Sequence, residues 1–341
     1  MPEILKVENL HVQFKTRAGF VNAVRGVSFS LGEGETLGIV GESGSGKSVT
    51  AMSILRLLAS NGRIIDGHIY FKGSDLTSAS KREMRKVRGA RISMIFQDPM
   101  TSLNPLIPVG KQVGEILLEH EPGIGAGAAK RRVCELFSRV RIPEADKRYN
   151  DYPHQFSGGM RQRVMIAMAL ACEPDVVIAD EPTTALDVTI QDQILQLLRN
   201  LQREFGTSVI FITHDLGVVA GFCSRALVMY GGMIMEEALI DDLFYNPCHP
   251  YTRGLLNSTP RTGQSRSEPL PQIQGSPPDM LNPPSGCPFS PRCAYARLTC
   301  AAGEPGYTQI SGTHRSMCRL LAQDAPTQGN PMKANCSHHR L

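Results

Sequence analysis

The chain has 341 residues, and its 36 basic and 32 acidic side chains leave a net charge of +4. This length is enough for one large domain with attachments, whereas the balanced charge, without a long basic block, gives no reason to expect nucleic-acid binding. The longest apolar run, Val164 to Cys172, has nine residues; a bilayer-crossing helix needs roughly 20, so the chain is not expected to span a membrane by itself.

The first part of the chain has the pattern of β-strands. Residues 4–40 alternate apolar and polar positions, as in Val27-Ser28-Phe29-Ser30-Leu31, with Gly-rich turns in between. This pattern predicts antiparallel strands that lead, through the apolar run at 36–40, into the next motif.

Residues 41–48 read GESGSGKS, a complete G-x-x-x-x-G-K-[ST] phosphate loop between a strand-like and a helix-like segment. Its glycines let the backbone curl until several N–H groups point at phosphate, and the helix that follows adds its positive N-terminal end. Lys47 would contact the β- and γ-phosphates, and Ser48 would bind Mg²⁺. The alternative is an ordinary Gly-rich turn, but strand, spacing and helix together favour a nucleotide site.

A nucleotide site implies the cytosol, and residues 1–6 lack the layout of a secretory signal. The nine cysteines of the chain are therefore expected to be mostly reduced thiols or metal ligands. Among them, Cys134, Cys172 and Cys223 lie in helix-like apolar segments and are expected in the core.

Strands alternate with helices after the phosphate loop. Helix-like segments cover about 111–172, and short apolar runs at 175–180 and 208–212 flank a helix-like segment at 188–205. Runs of this length are typical of buried parallel strands. Their alternation with helices predicts an α/β core.

Two carboxylates, Asp180 and Glu181, follow the apolar residues of one predicted strand. Burying them is costly unless they meet a cation, and the Mg²⁺ of a bound nucleotide is such a cation. Asp180 would hold the metal, directly or through water, and Glu181 would orient or deprotonate the attacking water. The alternative is an acidic pair in a helix cap.

A second surface for phosphate is predicted between these motifs. Ser157, Gly158 and Gly159 precede a long apolar helix, and a serine with glycines at a helix start suits phosphate. One chain cannot easily apply both surfaces to the same nucleotide. We therefore expect two chains, facing head to tail, to enclose each ATP.

Together these motifs resemble those of the ATP-binding cassette family, over about residues 4–230. The motifs that carry the resemblance occur in the family's order: 41–48, Gln97 in FQDP, the signature Ser157-Gly158-Gly159, Asp180-Glu181, Ala185-Leu186-Asp187, and His214 in THD. The resemblance implies an α/β fold, a P-loop NTPase cassette in residues 1–258. Such a cassette has an antiparallel β subdomain, a RecA-like core and a helical subdomain, here at about 98–172.

The resemblance also implies roles for single residues. Gln97 would contact Mg²⁺ and the attacking water, and His214 would contact the γ-phosphate, so that both join Glu181 as catalytic residues. Without the other motifs, Gln97 would be interpreted as an ordinary loop glutamine and His214 as a histidine that caps the end of a strand. Asp187 resembles the residue that couples the paired subunits, and Asp180, Gln97 and Ser48 are the implied Mg²⁺ ligands.

Phe14 stands where an aromatic ring stacks on adenine in the family, with Phe20 as a rival, although either ring could simply pack on a strand. The residues implied to bind nucleotide are Phe14, Gly41, Ser43, Gly44, Ser45, Gly46, Lys47, Ser48, Val49, Ser157, Gly158 and Gly159. One departure from the family pattern is visible, because Phe156 and Met160 flank the signature where leucine and glutamine are common. Met160 cannot donate a strong hydrogen bond, which leaves the backbone and Ser157 to hold phosphate.

The last part of the chain indicates a subfamily. NPCHPYTRGLL at 246–256, IFQDPMTSLNP at 95–105 and GCPFSPRC at 286–293 resemble the oligopeptide/dipeptide/nickel importer ATPases. The implied function is ATP hydrolysis that drives import of peptides, with nickel or glutathione as alternative cargo. The implied partners are a second cassette subunit (a copy or a paralogue), two membrane permease subunits and, indirectly, an extracytoplasmic binding protein. The location would be the cytoplasmic face of the inner membrane.

After the cassette, a Pro-rich linker is predicted at 259–286, a Cys-containing extension at 287–325 and a flexible tail at 326–341 that includes Cys336, His338 and His339. Cys287, Cys293, Cys300 and Cys318 are separated by five, six and seventeen residues, which fits neither zinc-ribbon nor ferredoxin spacing. Four cysteines in a core-poor segment still favour a metal. The resemblance implies a [4Fe–4S] cluster; zinc and unliganded thiols are the alternatives.

Three other classes of protein fit this sequence less well. A DNA-repair ATPase of the same fold would need a long coiled-coil insert, but only about 110 residues separate Lys47 from Ser157. Ribosomal relatives usually carry a pair of cassettes in one chain. A redox or iron sensor built on the extension would not explain an intact Glu181.

Overall fold

The structure is a computed structural model that describes residues 2–184, 186–259 and 271–322. Residues 260–270 of the expected linker, residues 323–325 of the expected extension, and the expected flexible tail with Cys336, His338 and His339 lie outside the described residues, as do Met1 and Ala185. None of the helices among the described residues combines the length and hydrophobicity that a bilayer-crossing segment requires.

The strands of the described residues are, in chain order, β1 (Glu3–Thr16), β2 (Gly19–Gly32), β3 (Thr36–Val40), β4 (Gly62–Phe71), β5 (Ser74–Asp75), β6 (Ile92–Ile95), β7 (Val176–Asp180), β8 (Ser208–Thr213), β9 (Arg225–Tyr230), β10 (Met233–Leu239), β11 (Thr308–Gln309) and β12 (Arg315–Ser316).

The α-helices are α1 (Lys47–Ile54), α2 (Lys81–Val87), α3 (Pro99–Ser102), α4 (Val109–His120), α5 (Ala126–Arg139), α6 (Ala145–Arg148), α7 (Gly158–Leu170), α8 (Val188–Phe205), α9 (Leu216–Phe222), α10 (Ile240–Tyr245) and α11 (Pro250–Asn257). Short 3₁₀ turns occur at Pro153–Gln155, Ser290–Arg292, Leu298–Ala301 and Arg319–Leu321.

The described residues form two compact units, one of residues 2–4, 31–36 and 78–212, the other of residues 5–30, 37–77 and 213–322. The first unit contains the parallel strands β6, β7 and β8, with β7 in the middle. Every residue of β7 and β8 is buried. The prediction of buried parallel strands at 175–180 and 208–212 is therefore confirmed.

Helix α7 is the central helix of the first unit. It packs against β6 and against α3, α4, α5 and α8, and most of its side chains are buried on all sides, as the long apolar run predicted. Helix α8 instead has one buried stripe, which includes Ile194 and Leu201. This stripe is the single core-facing side of an amphipathic helix.

The second unit contains an antiparallel sheet in the order β2-β1-β4-β5. The antiparallel arrangement expected for the early strands is confirmed there, but β3 departs from it. Strand β3 pairs in parallel with β9, with Ile39 opposite Leu227. Four of the five residues of β3 are buried, and a strand without exposed polar alternation is typical of a parallel sheet covered on both faces.

The Cys-containing extension is built onto the same unit by strand pairing. Strand β12 adds antiparallel to β10, with Ser316 opposite Glu236 and Arg315 opposite Glu237, and β11 adds to β12. A small apolar cluster of Cys248, Cys318, Leu320 and Leu321 packs beneath it. Backbone pairing therefore fixes the extension even though it has little core of its own.

Candidate functional site

The phosphate loop has a backbone shape that requires glycine at particular positions. Gly41 and Gly46 have φ of +153° and +101°. A Cβ at Gly41 would lie 2.1 Å from the Met229 carbonyl oxygen, and one at Gly46 would lie 2.6 Å from the Ala23 carbonyl oxygen. Any side chain at these positions would collide with backbone, so the loop is shaped by close approach as well as by its conformation.

Lys47 is buried, and its Nζ donates to the Gly41 and Glu42 carbonyls at 2.7 and 3.0 Å. Helix α1 begins at Lys47 without a side-chain cap on its first N–H groups. The Ser45 hydroxyl is buried and has no hydrogen-bond partner among the described residues. Uncapped donors, a cation and an unpartnered hydroxyl along one loop suit an anion with several oxygens.

The other residues predicted to bind nucleotide lie on or beside this loop. Ser43 and Gly44 are exposed at its tip, while Ser48 and Val49 are half-buried in the first turn of α1. Phe14 on β1 pairs with Gly62 on β4, where a Cβ would touch the phenyl ring at 2.6 Å.

That ring therefore packs along the sheet, whereas Phe20 is 56% exposed.

The first unit brings Gln97 and Glu181 together. Gln97 Nε2 donates to Glu181 Oε2 at 3.2 Å, and the Thr184 hydroxyl donates to the same oxygen at 2.9 Å. Glu181 has a φ of +47°, and its N–H donates to the Ile212 carbonyl at 2.9 Å. Two donors on one oxygen and a constrained backbone fix the direction of this carboxylate.

Asp180, the preceding residue, ends β7 and is only 3% exposed. It therefore occupies the strand-end position that the sequence predicted.

The signature residues occupy the start of α7. The Ser157 hydroxyl caps the helix by accepting from the Met160 N–H at 3.3 Å, and Ser157 and Gly158 are exposed. A Cβ on Gly159 would lie 2.9 Å from Ile190 Cγ2. Met160 contributes its backbone N–H to this cap. The start of α7 is therefore exposed, as a surface that contacts phosphate must be.

His214 and Asp187 both stand where a strand or loop meets a helix. His214 is exposed directly after β8, and the Asp215 carboxylate that follows caps α9. Asp187 caps α8 by accepting from the Ile190 N–H at 2.9 Å. His214 belongs to the unit that contains the phosphate loop, and Asp187 to the unit that contains Glu181.

The extension brings its cysteines to one cavity. Cys287, Cys293, Cys300 and Cys318 line about 310 Å³ of space, measured together with the part open to solvent. Cys287, Cys300 and Cys318 are buried, and Cys293 is half-buried. The sequence separation of these residues did not fix a ligand, but the fold places them around a common centre.

Burial raises the pKa of three of these thiols, Cys287, Cys293 and Cys318. It raises the pKa of Cys287 to about 11 and that of Cys318 to about 12, with further increases from the neighbouring cysteines. Cys287, Cys293 and Cys318 therefore stay protonated at neutral pH unless a nearby cation stabilises their thiolates.

His249 lies on the wall of the same cavity and is fully buried. Burial lowers its pKa to about 4, so the ring is neutral at pH 7. Its Nδ1 accepts from the Tyr251 N–H at 3.0 Å, which places the ring proton on Nε2. The charge of Glu236 and a backbone hydrogen bond with Met317 raise this pKa but only partly offset the effect of burial.

Three buried residues that the sequence reasoning did not single out, Glu236, Cys248 and His314, place one potential ligand atom each within 4.8 Å of the others. Their atoms are already engaged, however. The Glu236 carboxylate accepts from the Cys248 N–H at 2.6 Å, the His249 N–H at 2.9 Å and His314 Nε2 at 2.8 Å, and Cys248 is in a disulfide. This cluster therefore serves as an internal anchor. The sequence signal for it was the pair of glutamates, Glu236 and Glu237, among the apolar residues of β10.

Cys134 is buried in α5 and Cys223 is buried at the end of α9, while Cys172 is half-buried just after α7. The expectation that these cysteines belong to the core is confirmed for the first two and partly met by the third.

Sequence profiles match two parts of the chain. The profile of the ABC transporter family matches residues 24–184, and the profile described as the oligopeptide/dipeptide transporter C-terminal region matches residues 235–300.

Characterised relatives match nearly the whole chain. The dipeptide transport ATP-binding protein DppD of Bacillus subtilis (strain 168) is 55% identical over 326 residues, which cover 95% of this chain and 97% of that protein. The oligopeptide transport ATP-binding protein OppD of Salmonella typhimurium (strain LT2) is 54% identical over 302 residues, 89% of each chain.

Among solved structures, the dimeric ATP-binding cassette MJ0796, in a post-hydrolysis state with ADP and Pi, matches with a TM-score of 0.63 and 30% identity over 70% of this chain and 99% of that one. The structure of cbiO1 from Clostridium perfringens, part of an ABC transporter complex, matches with a TM-score of 0.61 and 29% identity over 72% of this chain and 91% of that one.

Proposed function

Because this chain belongs to the ATP-hydrolysing subunits of the ABC transporter family, we propose that it powers the import of di- and oligopeptides through a membrane transporter. The predicted cassette fold and ATPase activity are confirmed by that membership. The cargo proposal rests on one observation: the chain joins an ABC cassette to the oligopeptide/dipeptide C-terminal region at 235–300. Relatives that share this layout are dipeptide and oligopeptide transport proteins.

In the proposed reaction, Lys47 is the first group to change partners. Its Nζ now binds the Gly41 and Glu42 carbonyls, and β- and γ-phosphate oxygens would compete for the same protons. Mg²⁺, held by Ser48 and Asp180 with Gln97, would offset the charge of the phosphates. The N–H groups at the start of α1 and the Ser45 hydroxyl would bind the remaining phosphate oxygens.

Glu181 would orient the attacking water and accept its proton. Its carboxylate is fixed by Gln97 and Thr184, so its direction is set before the substrate arrives. His214 would contact the γ-phosphate. Substitution of Lys47 is therefore expected to weaken ATP binding, and substitution of Glu181 to lower kcat.

The exposed signature surface, with Ser157 and Gly158, would close on the ATP of a second cassette subunit. The dimeric form of the related cassette MJ0796 supports this arrangement. The second subunit would be a copy of this chain or a paralogue. Two permease subunits would carry the peptide through the membrane, an extracytoplasmic protein would deliver it, and the chain would sit on the cytoplasmic face as a peripheral subunit, without nucleic acid as a partner.

Reconstitution with the permease and the binding protein tests the cargo proposal. ATPase activity of the complex should rise when the binding protein carries a dipeptide or oligopeptide, and nickel or glutathione should have no such effect. Stimulation by nickel or glutathione alone would overturn the peptide assignment. Full activity of the chain with no interaction with any permease would favour an ABC ATPase that does not act in transport.

The extension is proposed to hold a [4Fe–4S] cluster on Cys287, Cys293, Cys300 and Cys318. The donor set supports it, because four thiols line one cavity and His249 lies on the wall of that cavity. When bound, a cluster would stabilise the thiolates and cross-link segments that have little core.

Zinc is the alternative. Tetrahedral zinc with Zn–S bonds of about 2.3 Å would bring four sulfurs to about 3.8 Å from one another, whereas a [4Fe–4S] cluster binds each thiolate to a different iron. The same four cysteines line the cavity in either case, so the metal content of the protein decides between them.

Metal analysis of protein purified without oxygen tests the cluster. Iron and acid-labile sulfide should be present in equal amounts and fall sharply in Cys300→Ser. Cys134→Ser, a change of a buried thiol in α5, should keep both. Zinc in place of iron, or no metal in the parental protein, would overturn the cluster.

A further inference from the structure

We infer that Arg292, on the Cys-containing extension, is a positioning residue for nucleotide binding that acts through Glu42 of the phosphate loop. The two residues are 250 positions apart in the sequence. Both belong to the same compact unit, and their side chains meet at the loop that carries Lys47.

The contact is a bidentate ion pair. Arg292 Nη1 donates to Glu42 Oε2 at 2.7 Å, and Arg292 Nη2 donates to Glu42 Oε1 at 3.2 Å. The Arg292 side chain is 6% exposed and that of Glu42 is 25% exposed. Two parallel charge-assisted hydrogen bonds in a mainly dry setting are among the strongest side-chain contacts and fix orientation as well as distance.

Arg292 is itself held rigidly. Its Nε donates to the Gln274 carbonyl at 2.8 Å, its Nη2 to the Ile273 carbonyl at 3.0 Å and its Nη1 to the Tyr230 hydroxyl at 3.1 Å. A guanidinium fixed by this many partners loses little further freedom when it binds Glu42. The extension therefore holds the Arg292 guanidinium in a fixed position, where it can bind Glu42 of the phosphate loop.

Glu42 connects Arg292 to Lys47, the lysine of the phosphate loop. Its N–H donates to the Tyr251 hydroxyl at 2.9 Å, its carbonyl accepts from Lys47 Nζ at 3.0 Å, and its carboxylate binds Arg292. Its backbone and its side chain are thus both engaged. A shift of the Glu42 carboxylate would move the carbonyl that holds the phosphate-binding lysine.

The same segment of the extension supports the other side of the loop. The Phe289 ring packs on the Tyr230 and Tyr251 rings with centroids 5.3 and 5.2 Å apart, and Cys287 and Cys293 lie within four residues of Phe289 in the sequence. Loading of the cysteines would therefore order the loop as well. This last consequence rests on the proposed cluster, whereas the role of Arg292 does not.

A second ion pair to the extension provides a matched control. Arg25 of β2 lies 2.5 Å from the Glu304 carboxylate, so Glu304→Gln weakens the attachment of the extension without touching Glu42. If the extension acted only by being attached, Glu304→Gln would also weaken MgATP binding. If Arg292 positions the loop through Glu42, Glu304→Gln would leave MgATP binding unchanged.

The test measures MgATP dissociation constants of the full-length chain, without permeases, for Arg292→Gln, Glu42→Gln, the double variant and Glu304→Gln. Hydrogen exchange of peptides covering 41–48 and iron content are measured on the same samples. Arg292→Lys, which keeps the charge but cannot form the fork, replaces Arg292→Gln if that variant does not fold.

We expect each single variant of the pair to weaken MgATP binding by about 3- to 10-fold, with faster exchange at 41–48. The double variant should be no weaker than Arg292→Gln alone, and Glu304→Gln should match the parental protein. Parental affinity and exchange in Arg292→Gln, or an equal loss in Glu304→Gln, would overturn the inference. Because the assay needs neither peptide nor permease, failure of the transport proposal would leave this result intact.

Discussion

Replacing Glu236 by alanine should destabilise the protein more than other single acid-to-alanine changes in the same unit. The carboxylate is fully buried and accepts three hydrogen bonds, from the N–H groups of Cys248 and His249 and from His314 Nε2, at 2.6, 2.9 and 2.8 Å. Alanine would leave all three donors without this acceptor, in a place that water does not reach.

The size of the effect follows from those contacts. A buried donor without its acceptor costs about 1–3 kcal/mol, and three donors would lose their acceptor at once. We therefore expect a loss of about 3–5 kcal/mol in the free energy of unfolding, a large share of the roughly 5–15 kcal/mol of a typical domain. The midpoint of urea unfolding should fall accordingly, and exchange of the Cys248 and His249 amides should accelerate.

Glu8→Ala is the matched control, because Glu8 pairs with Lys6 at the surface and its side chain is 42% exposed. An exposed pair of this kind contributes about 0–1 kcal/mol. If Glu236→Ala lowered the urea midpoint no more than Glu8→Ala does, the view of Glu236 as the anchor of the extension would be refuted.

Further predictions concern the nucleotide site and the thiols. Lys47→Ala should weaken ATP binding by at least about tenfold through loss of the phosphate charge, measured by equilibrium titration; parental affinity would contradict it. Glu181→Gln should bind ATP normally but lower kcat by about 10²- to 10⁴-fold, and an unchanged kcat would exclude its role as base. Gly46→Ala, at φ of +101° with its Cβ 2.6 Å from a carbonyl, should lose ATP binding and about 1–3 kcal/mol of stability, whereas normal binding would show that the loop can relax. In metal-free protein, the alkylation rate of Cys318 should keep rising with pH towards about 12, because burial raises its pKa to that value; a plateau below pH 10, as for an ordinary thiol, would contradict it.

The nucleotide motifs could be predicted from the sequence because phosphate chemistry fixes the residue type at each position. Gly41 and Gly46 show why, since any Cβ there would strike a backbone carbonyl. The cassette fold was predictable on the same basis, as the buried strands β7 and β8 carry short apolar runs with acidic or polar residues at their ends. Local pattern and fold agree at these positions.

The contacts that the sequence did not reveal join distant parts of the chain. Arg292 and Glu42 are 250 residues apart, and His314 and Glu236 are 78 apart, so neither pair leaves a periodic or short-range signal. The parallel pairing of β3 with β9 likewise joins segments that are far apart in the sequence. The cysteines are an intermediate case. Four of them in a core-poor segment favoured a metal, but their spacing matched neither the zinc-ribbon nor the ferredoxin pattern, and only the fold showed them around one cavity.

Uptake of labelled peptide into vesicles that contain the reconstituted transporter tests the central claim most directly. With MgATP on the side of the membrane that carries the parental protein, the vesicles should take up peptide. Glu181→Gln in the same complex should abolish this uptake, although ATP still binds. Uptake at the parental rate with Glu181→Gln, or peptide accumulation that does not depend on ATP, would contradict the account of this chain as the ATP-hydrolysing subunit of a peptide importer.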